Sequence, residues 1–155
     1  MRAKQNTQIR KSSGFTLVEV LVALIVLSVG MLGIAGLYVH SMQAGRTSMF
    51  RHHAVTLAGD VGDRIRANPR AGPAYALAGS DNSCAPPTSN DCSPAEMAAN
   101  DIFLWDQQAA DTLPNGTVTV VYDNAVSPPT YTITVAWTEP GENLNYTITI
   151  PVLGI

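Results

Sequence analysis

The chain has 155 residues, with nine Lys and Arg against twelve Asp and Glu, 46% hydrophobic residues and two cysteines. That length has room for one small domain beside a membrane segment and excludes a second globular unit. The formal charge of −3 falls to about −7 if the four cations of the first fourteen residues are removed, a balance that works against nucleic acid as a main partner.

Residues 1–14, MRAKQNTQIRKSSG, carry Arg2, Lys4, Arg10 and Lys11 and no acid. An apolar run follows from Phe15 to Val39, broken by a single charge at Glu19. As a helix at about 1.5 Å per residue the run spans roughly 37 Å, enough to cross a hydrocarbon core of about 30 Å. The basic leader places the N-terminus in the cytoplasm and sends the rest outward, into the periplasm of a bacterial cell. An ordinary signal peptide is cut behind its apolar region; here the small-residue cut before the run follows Gly14, which keeps the span. Cuts after Ala35 or Ala44 are the alternative, and the run is longer than a normal signal core. Glu19 within a span costs on the order of 3 kcal/mol on insertion scales and calls for a cation, unless interfacial water and the helix dipole suffice. Gly30, Gly33 and Gly36 offer a close-packing face or a soft point.

Gly14 followed by Phe15-Thr16-Leu17-Val18-Glu19 resembles the class III signal of type IV pilins and type II secretion pseudopilins. The resemblance implies that prepilin peptidase cuts between Gly14 and Phe15 and N-methylates Phe15. It also implies that Glu19 pairs with the N-terminal amine of a neighbouring subunit during assembly. Many major pilins carry a proline near the depth of the three glycines, and this chain has none there.

Phe50, Ala54, Leu57, Val61 and Ile65 step by four and three, so residues 40–68 read as an amphipathic continuation of the first helix, from about Phe15 to Ala67, with a soft point at Gly45. Pro69 ends it. Asp60 with Arg64 and Asp63 with Arg66 have the spacing of local ion pairs. Arg46, Arg51, Arg64, Arg66 and Arg70 are the only cations after the leader, while residues 71–155 hold nine acids. The segregation suggests that the acidic portion docks on its own helix or a neighbour's.

Residues 69–116 form a connecting region. Its first part, residues 69–93, is rich in Gly, Pro, Ser and Asn and reads as irregular. Cys84 and Cys92, in an exported segment, are expected to form a disulfide, stabilising by roughly 2.6 kcal/mol in the chain-entropy treatment. Their spacing does not fit zinc. Ser93-Pro94-Ala95-Glu96 has a cap, a first-turn proline and a capping-box glutamate, so a second helix starts there and ends near Ala110 or Thr112. Met97, Leu104, Trp105 and Ile102 are its expected buried side. Leu113-Pro114-Asn115-Gly116 makes the next turn.

Residues 117–155 read as an antiparallel sheet with strands over 117–123, 130–138 and 144–152. In the second, Tyr131, Ile133, Val135 and Trp137 share one face with threonines opposite; in the third, Leu144, Tyr146, Ile148, Ile150 and Val152 do likewise. The fold class is α+β: a long N-terminal helix packed against a small antiparallel sheet, as in pilins.

GMLGIAGL in the span, DRIRAN at 63–68, the helix around Asp101 to Trp105, and LPNG before the strands are similar to PilV-type minor pilins, also called type IV pilus modification proteins. The resemblance implies a low-abundance subunit that helps initiate the pilus or decorates its tip. Its implied partners are prepilin peptidase, other minor and major pilins and the inner-membrane assembly platform. Its implied location is the inner membrane and then the pilus. A type II secretion pseudopilin and a DNA- or surface-binding minor pilin are the alternatives. No nucleophile elbow, zinc-protease helix or phosphate loop is present, so no catalytic residue, cofactor or metal site is expected. His40, His52 and His53 read as surface or interface residues, because neighbours on a helix point to different faces.

Overall fold

In the computed structural model, which describes residues 14–84 and 91–152, helix α1 runs Leu17–Ala67 without a break. Gly30, Gly33, Gly36 and Gly45 are all helical. At Gly45, the candidate soft point, the helix is continuous in backbone; one glycine costs only about 1 kcal/mol in a helix. Two short 3₁₀ turns follow over Pro69–Ala76, then helix α2 at Pro94–Thr112 and strands β1 at Thr117–Asp123, β2 at Thr130–Glu139 and β3 at Glu142–Pro151. The chain divides into two units, Met1–Gln43 and Ala44–Ile155. The leader cations Arg2, Lys4, Arg10 and Lys11, the centre of the loop between the cysteines and the last three positions of the expected sheet region lie outside the described residues.

In the second unit, the expected stripe of α1 is the buried one: Ala54, Leu57, Val61 and Ile65 are at most 4% exposed, with Phe50 half-buried above them. Ala54, Ala58 and Gly62 add a ridge of small residues at four-residue spacing, which lets the sheet come close. A Cβ at Gly62 would lie 3.7 Å from the Ile150 side chain and 3.8 Å from that of Ile133. The strands form a meander in the order β1-β2-β3, all antiparallel. Tyr131, Ile133, Val135 and Trp137 of β2 turn inward, while Thr132 meets Thr149 and Thr134 meets Thr147 on the outer face, at 3.3 and 3.1 Å between hydroxyls. The β2–β3 hairpin is tighter than expected. Glu139 pairs with Glu142 across Pro140-Gly141, and Gly141 takes φ +91°, so both strands extend further toward the turn than their alternation alone indicates.

Of the segment expected to be irregular, Pro69–Ala76 is instead two 3₁₀ turns, while residues 77–84 and 91–93 carry no helix or strand. Ala71 and Tyr75 are buried, and Tyr75 stacks on Trp105 with ring centres 5.7 Å apart and meets Tyr131 edge-on at 6.4 Å. Between the two turns Gly72 has φ +51°, and its carbonyl accepts a hydrogen bond from the Tyr131 hydroxyl at 2.5 Å. Short 3₁₀ turns tolerate Pro and Gly and leave little periodic signal in the sequence; buried Ala71 and Tyr75 and the Tyr131 bond to Gly72 hold the segment in place.

Helix α2 begins as its capping box dictates: the Glu96 carboxylate accepts from the Ser93 N–H at 2.9 Å and its hydroxyl at 2.7 Å, and the Ser93 oxygen accepts from the Glu96 N–H. These bonds hold the Glu96 carboxyl below its ordinary range. The buried side is Ala98, Ile102, Trp105 and Ala109; Met97 and Leu104 are only half-buried, because the alanines present the face nearest the core. Asn100 and Asp101 are also buried. The Asp101 carboxylate accepts from Arg64 at 2.8 Å and from the Tyr75 hydroxyl at 3.1 Å, joining α1, the 3₁₀ segment and α2. Burial is the first cause that lifts the Tyr75 hydroxyl well above the usual tyrosine range. The local pairs Asp60–Arg64 and Asp63–Arg66 are present at 3.3 and 3.0 Å. Arg64 thus serves both a neighbour on its own helix and an acid of the following region.

At the end of α2, Asn115 takes φ +51° and Gly116 lies against the last turn, where an added Cβ would sit 2.1 Å from the Ala109 carbonyl oxygen. That collision is with backbone and has no rotamer escape. Gly116→Ala is expected to cost about 3 kcal/mol in chemical denaturation, whereas Gly59→Ala, at an exposed helical site with open space, should gain up to about 1 kcal/mol. Equal midpoints for the two variants would contradict the packing described.

Candidate functional site

Gly14 and Phe15 precede α1 and are exposed, Phe15 to 84%. The chain turns helical at Leu17, two residues later than the hydrophobic run begins, because Thr16 caps the helix. The Thr16 carbonyl accepts from the N–H groups of Glu19 and Val20 at 3.1 and 3.3 Å. The Glu19 carboxylate accepts from the Thr16 N–H at 3.4 Å and its hydroxyl at 3.5 Å, while the Thr16 hydroxyl oxygen accepts from the Glu19 N–H at 3.4 Å. This is a capping-box arrangement on Thr16-Leu17-Val18-Glu19. The T-x-x-E spacing of Thr16 and Glu19 is its signal in the sequence.

Those bonds are long, so they orient the carboxylate without saturating it. Among the described residues no cation lies within ion-pair distance of Glu19. Phe15, Glu19, Val20, Ala23, Leu24 and Leu27 line an open, mostly apolar groove. Every residue from 14 to 43 is exposed, and the span meets the length and composition of a membrane-crossing helix. Ser28 satisfies its hydroxyl on the Leu24 carbonyl at 2.7 Å. Nothing within 4 Å would meet a Cβ at Gly30, Gly33 or Gly36. Among its described residues the first unit therefore presents one acid and an apolar helix exposed along its length, a surface suited to lipid or to other helices.

The Cys84–Cys92 disulfide is formed, with Cα atoms 5.9 Å apart. Asn100 of α2 anchors its first arm: the side-chain oxygen accepts from the N–H groups of Asn82 and Cys84 at 3.0 and 3.3 Å. The cysteines belong to the second unit and Glu19 to the first. His52 and His53 have ring centres 6.3 Å apart on α1. Among the described residues no group of three His, Cys, Asp or Glu side chains lies close enough to hold a metal.

A helix that carries a capped acid one turn into an exposed apolar span, followed by an α+β unit with a three-stranded meander, is the architecture of a filament subunit. A family model for the prokaryotic N-terminal methylation motif matches residues 9–35, and one described as type IV pilin Tt1218 matches residues 36–103. The two matches adjoin, and the chain is a type IV pilin: a structural subunit, not an enzyme. No curated protein and no solved structure matches it.

Proposed function

We propose that this pilin is a minor subunit of the PilV type, cut by prepilin peptidase between Gly14 and Phe15, N-methylated on Phe15 and drawn from the inner membrane into a type IV pilus. The observation that carries the reading is the exposed Glu19 carboxylate, with no ion-pair partner among the described residues, one turn behind an exposed Phe15 at the head of an exposed apolar stretch. Cleavage creates a cationic amine at Phe15, and the same amine on a neighbouring subunit is the partner that a low-dielectric bundle would select for Glu19. Before assembly the leader faces the cytoplasm and the second unit the periplasm, held by the retained span. The type IV pilin match over residues 36–103 favours a pilus over a secretion pseudopilus, because it extends well past the shared N-terminal signal. Other minor and major pilins and the assembly platform are then its partners.

Replacing Gly14 with tryptophan puts a large side chain at the scissile bond. The variant is expected to keep its leader quantitatively, with mass spectrometry of membrane fractions showing a species heavier by fourteen residues than the processed wild type. A variant of normal mature mass would refute the assignment of the cut.

A further inference from the structure

Where β2 turns into β3, Glu139 reaches α1. Its Oε2 accepts from the Thr47 hydroxyl at 2.5 Å, and its Oε1 accepts from the Trp137 indole N–H at 3.0 Å. The Trp137 ring is itself 4% exposed, so the group that aims the carboxylate is fixed in the core. The hairpin is braced from its other side as well: the Thr138 N–H donates to the Pro114 carbonyl at 2.9 Å, and the Asn115 amide donates to the Thr138 hydroxyl, also at 2.9 Å. Glu139 therefore projects from a rigid platform.

The helix it reaches has little else to hold it there. The fully buried face of α1 begins at Ala54, with Phe50 half-buried, and residues 44–49 are exposed except for the partly covered Thr47. Among the described residues, Thr47–Glu139 is the one side-chain hydrogen bond between α1 and the sheet.

We propose that Glu139 is a clip that decides whether residues 44–50 of α1 move with the folded head: with the bond made, this stretch stays helical against the sheet, and with it broken the stretch opens while the packed core below Ala54 stays closed. The carboxylate sits below the ordinary glutamate range, first because of the Thr47 bond and next because of Trp137, with Arg51 adding a smaller favourable field. Glu142, opposite it in the hairpin, makes no such contact with α1 among the described residues. Stretches held by few apolar contacts are where proteins open locally, well below the free energy of global unfolding. A helix that passes from bilayer to fibre gains a defined point of yielding from such a bond; this use rests on the pilin reading, while the clip itself does not.

Trypsin reads the state of the stretch directly, because Arg46 and Arg51 flank Thr47 and are exposed. In the full chain in detergent, Thr47→Val and Glu139→Ala are each expected to raise cleavage after Arg46, and amide exchange over residues 44–50, by roughly tenfold. Cleavage after Arg64 and Arg66 should not change, and the two substitutions together should do no more than one. Glu142→Gln should have no effect. Unchanged cleavage after Arg46 in Thr47→Val, or a rise at all four arginines together, would overturn the clip. If Glu139→Ala fails to fold, Thr47→Val alone decides.

Discussion

Glu19→Val is expected to leave the protein in the membrane and remove it from filaments. The substitution makes the span more apolar, so resistance to carbonate extraction should be unchanged or increased. What it deletes is the one acid of the exposed helix, and with it the partner for a neighbour's N-terminal cation. Truncating one member of a desolvated charge pair costs about 2–5 kcal/mol, so the amount recovered in sheared filaments should fall at least about tenfold. Thr16→Ala separates register from capping: it loosens the helix start, keeps the charge, and is expected to reduce incorporation far less. Normal incorporation of Glu19→Val would argue against the pairing, whatever the processing of the chain.

The largest loss of stability is expected at Asp101. Its carboxylate is 4% exposed and takes bonds from Arg64 and the Tyr75 hydroxyl. Alanine there leaves the O–H of a buried phenol with only the longer bond to the Arg64 carbonyl, at 3.5 Å, and a void between three elements. The Arg64 side chain, by contrast, is 48% exposed and has Asp60 at 3.3 Å, so it can turn to water. The cost therefore lies below the 3–5 kcal/mol of a fully buried broken pair, at about 3 kcal/mol. Asp101→Asn keeps the shape but only one acceptor oxygen, so it retains the Arg64 bond or the Tyr75 bond and not both; it should cost about 1–2 kcal/mol, and Arg64→Ala about 1 kcal/mol. Denaturant midpoints followed by tryptophan fluorescence check the order, with Trp105 stacked on Tyr75 as the reporter. A loss under 1 kcal/mol for Asp101→Ala would mean that the junction is not held by this carboxylate.

What could be read from the sequence follows the range of the interaction. The apolar stripe from Phe50 to Ile65 and the alternation in β2 are periodic, and periodicity survives without knowledge of partners. The capping box at Ser93 to Glu96 is local for the same reason, and two cysteines in an exported segment have only each other. Ala58 and Gly62 were not legible as core, because a small residue on a helix gains meaning only when a sheet approaches it. Asp101 stood among scattered head acids; its partners lie 37 and 26 positions away, at Arg64 and Tyr75. Glu139 is more remote still, 92 positions from Thr47. The 3₁₀ turns around Gly72 were hidden by a composition that otherwise means loop.

The candidate site divides in the same way. Gly14, Phe15 and Glu19 are contiguous, so their motif is complete in the sequence, and Thr16 could have been added from its T-x-x-E spacing. In the proposed pairing the partner of Glu19 belongs to another chain, which no reading of one chain contains. What one chain does show is the demand: an acid with loose internal bonds near the start of an apolar stretch exposed throughout residues 14–43.

The central claim is that the basic leader is lost and the apolar span kept. Tandem mass spectrometry of the N-terminal peptide, taken from this protein in filaments sheared from native cells, measures it directly. The account predicts a peptide that begins at N-methylated Phe15. A chain that still begins at Met1, or one that begins beyond Val39, would contradict it.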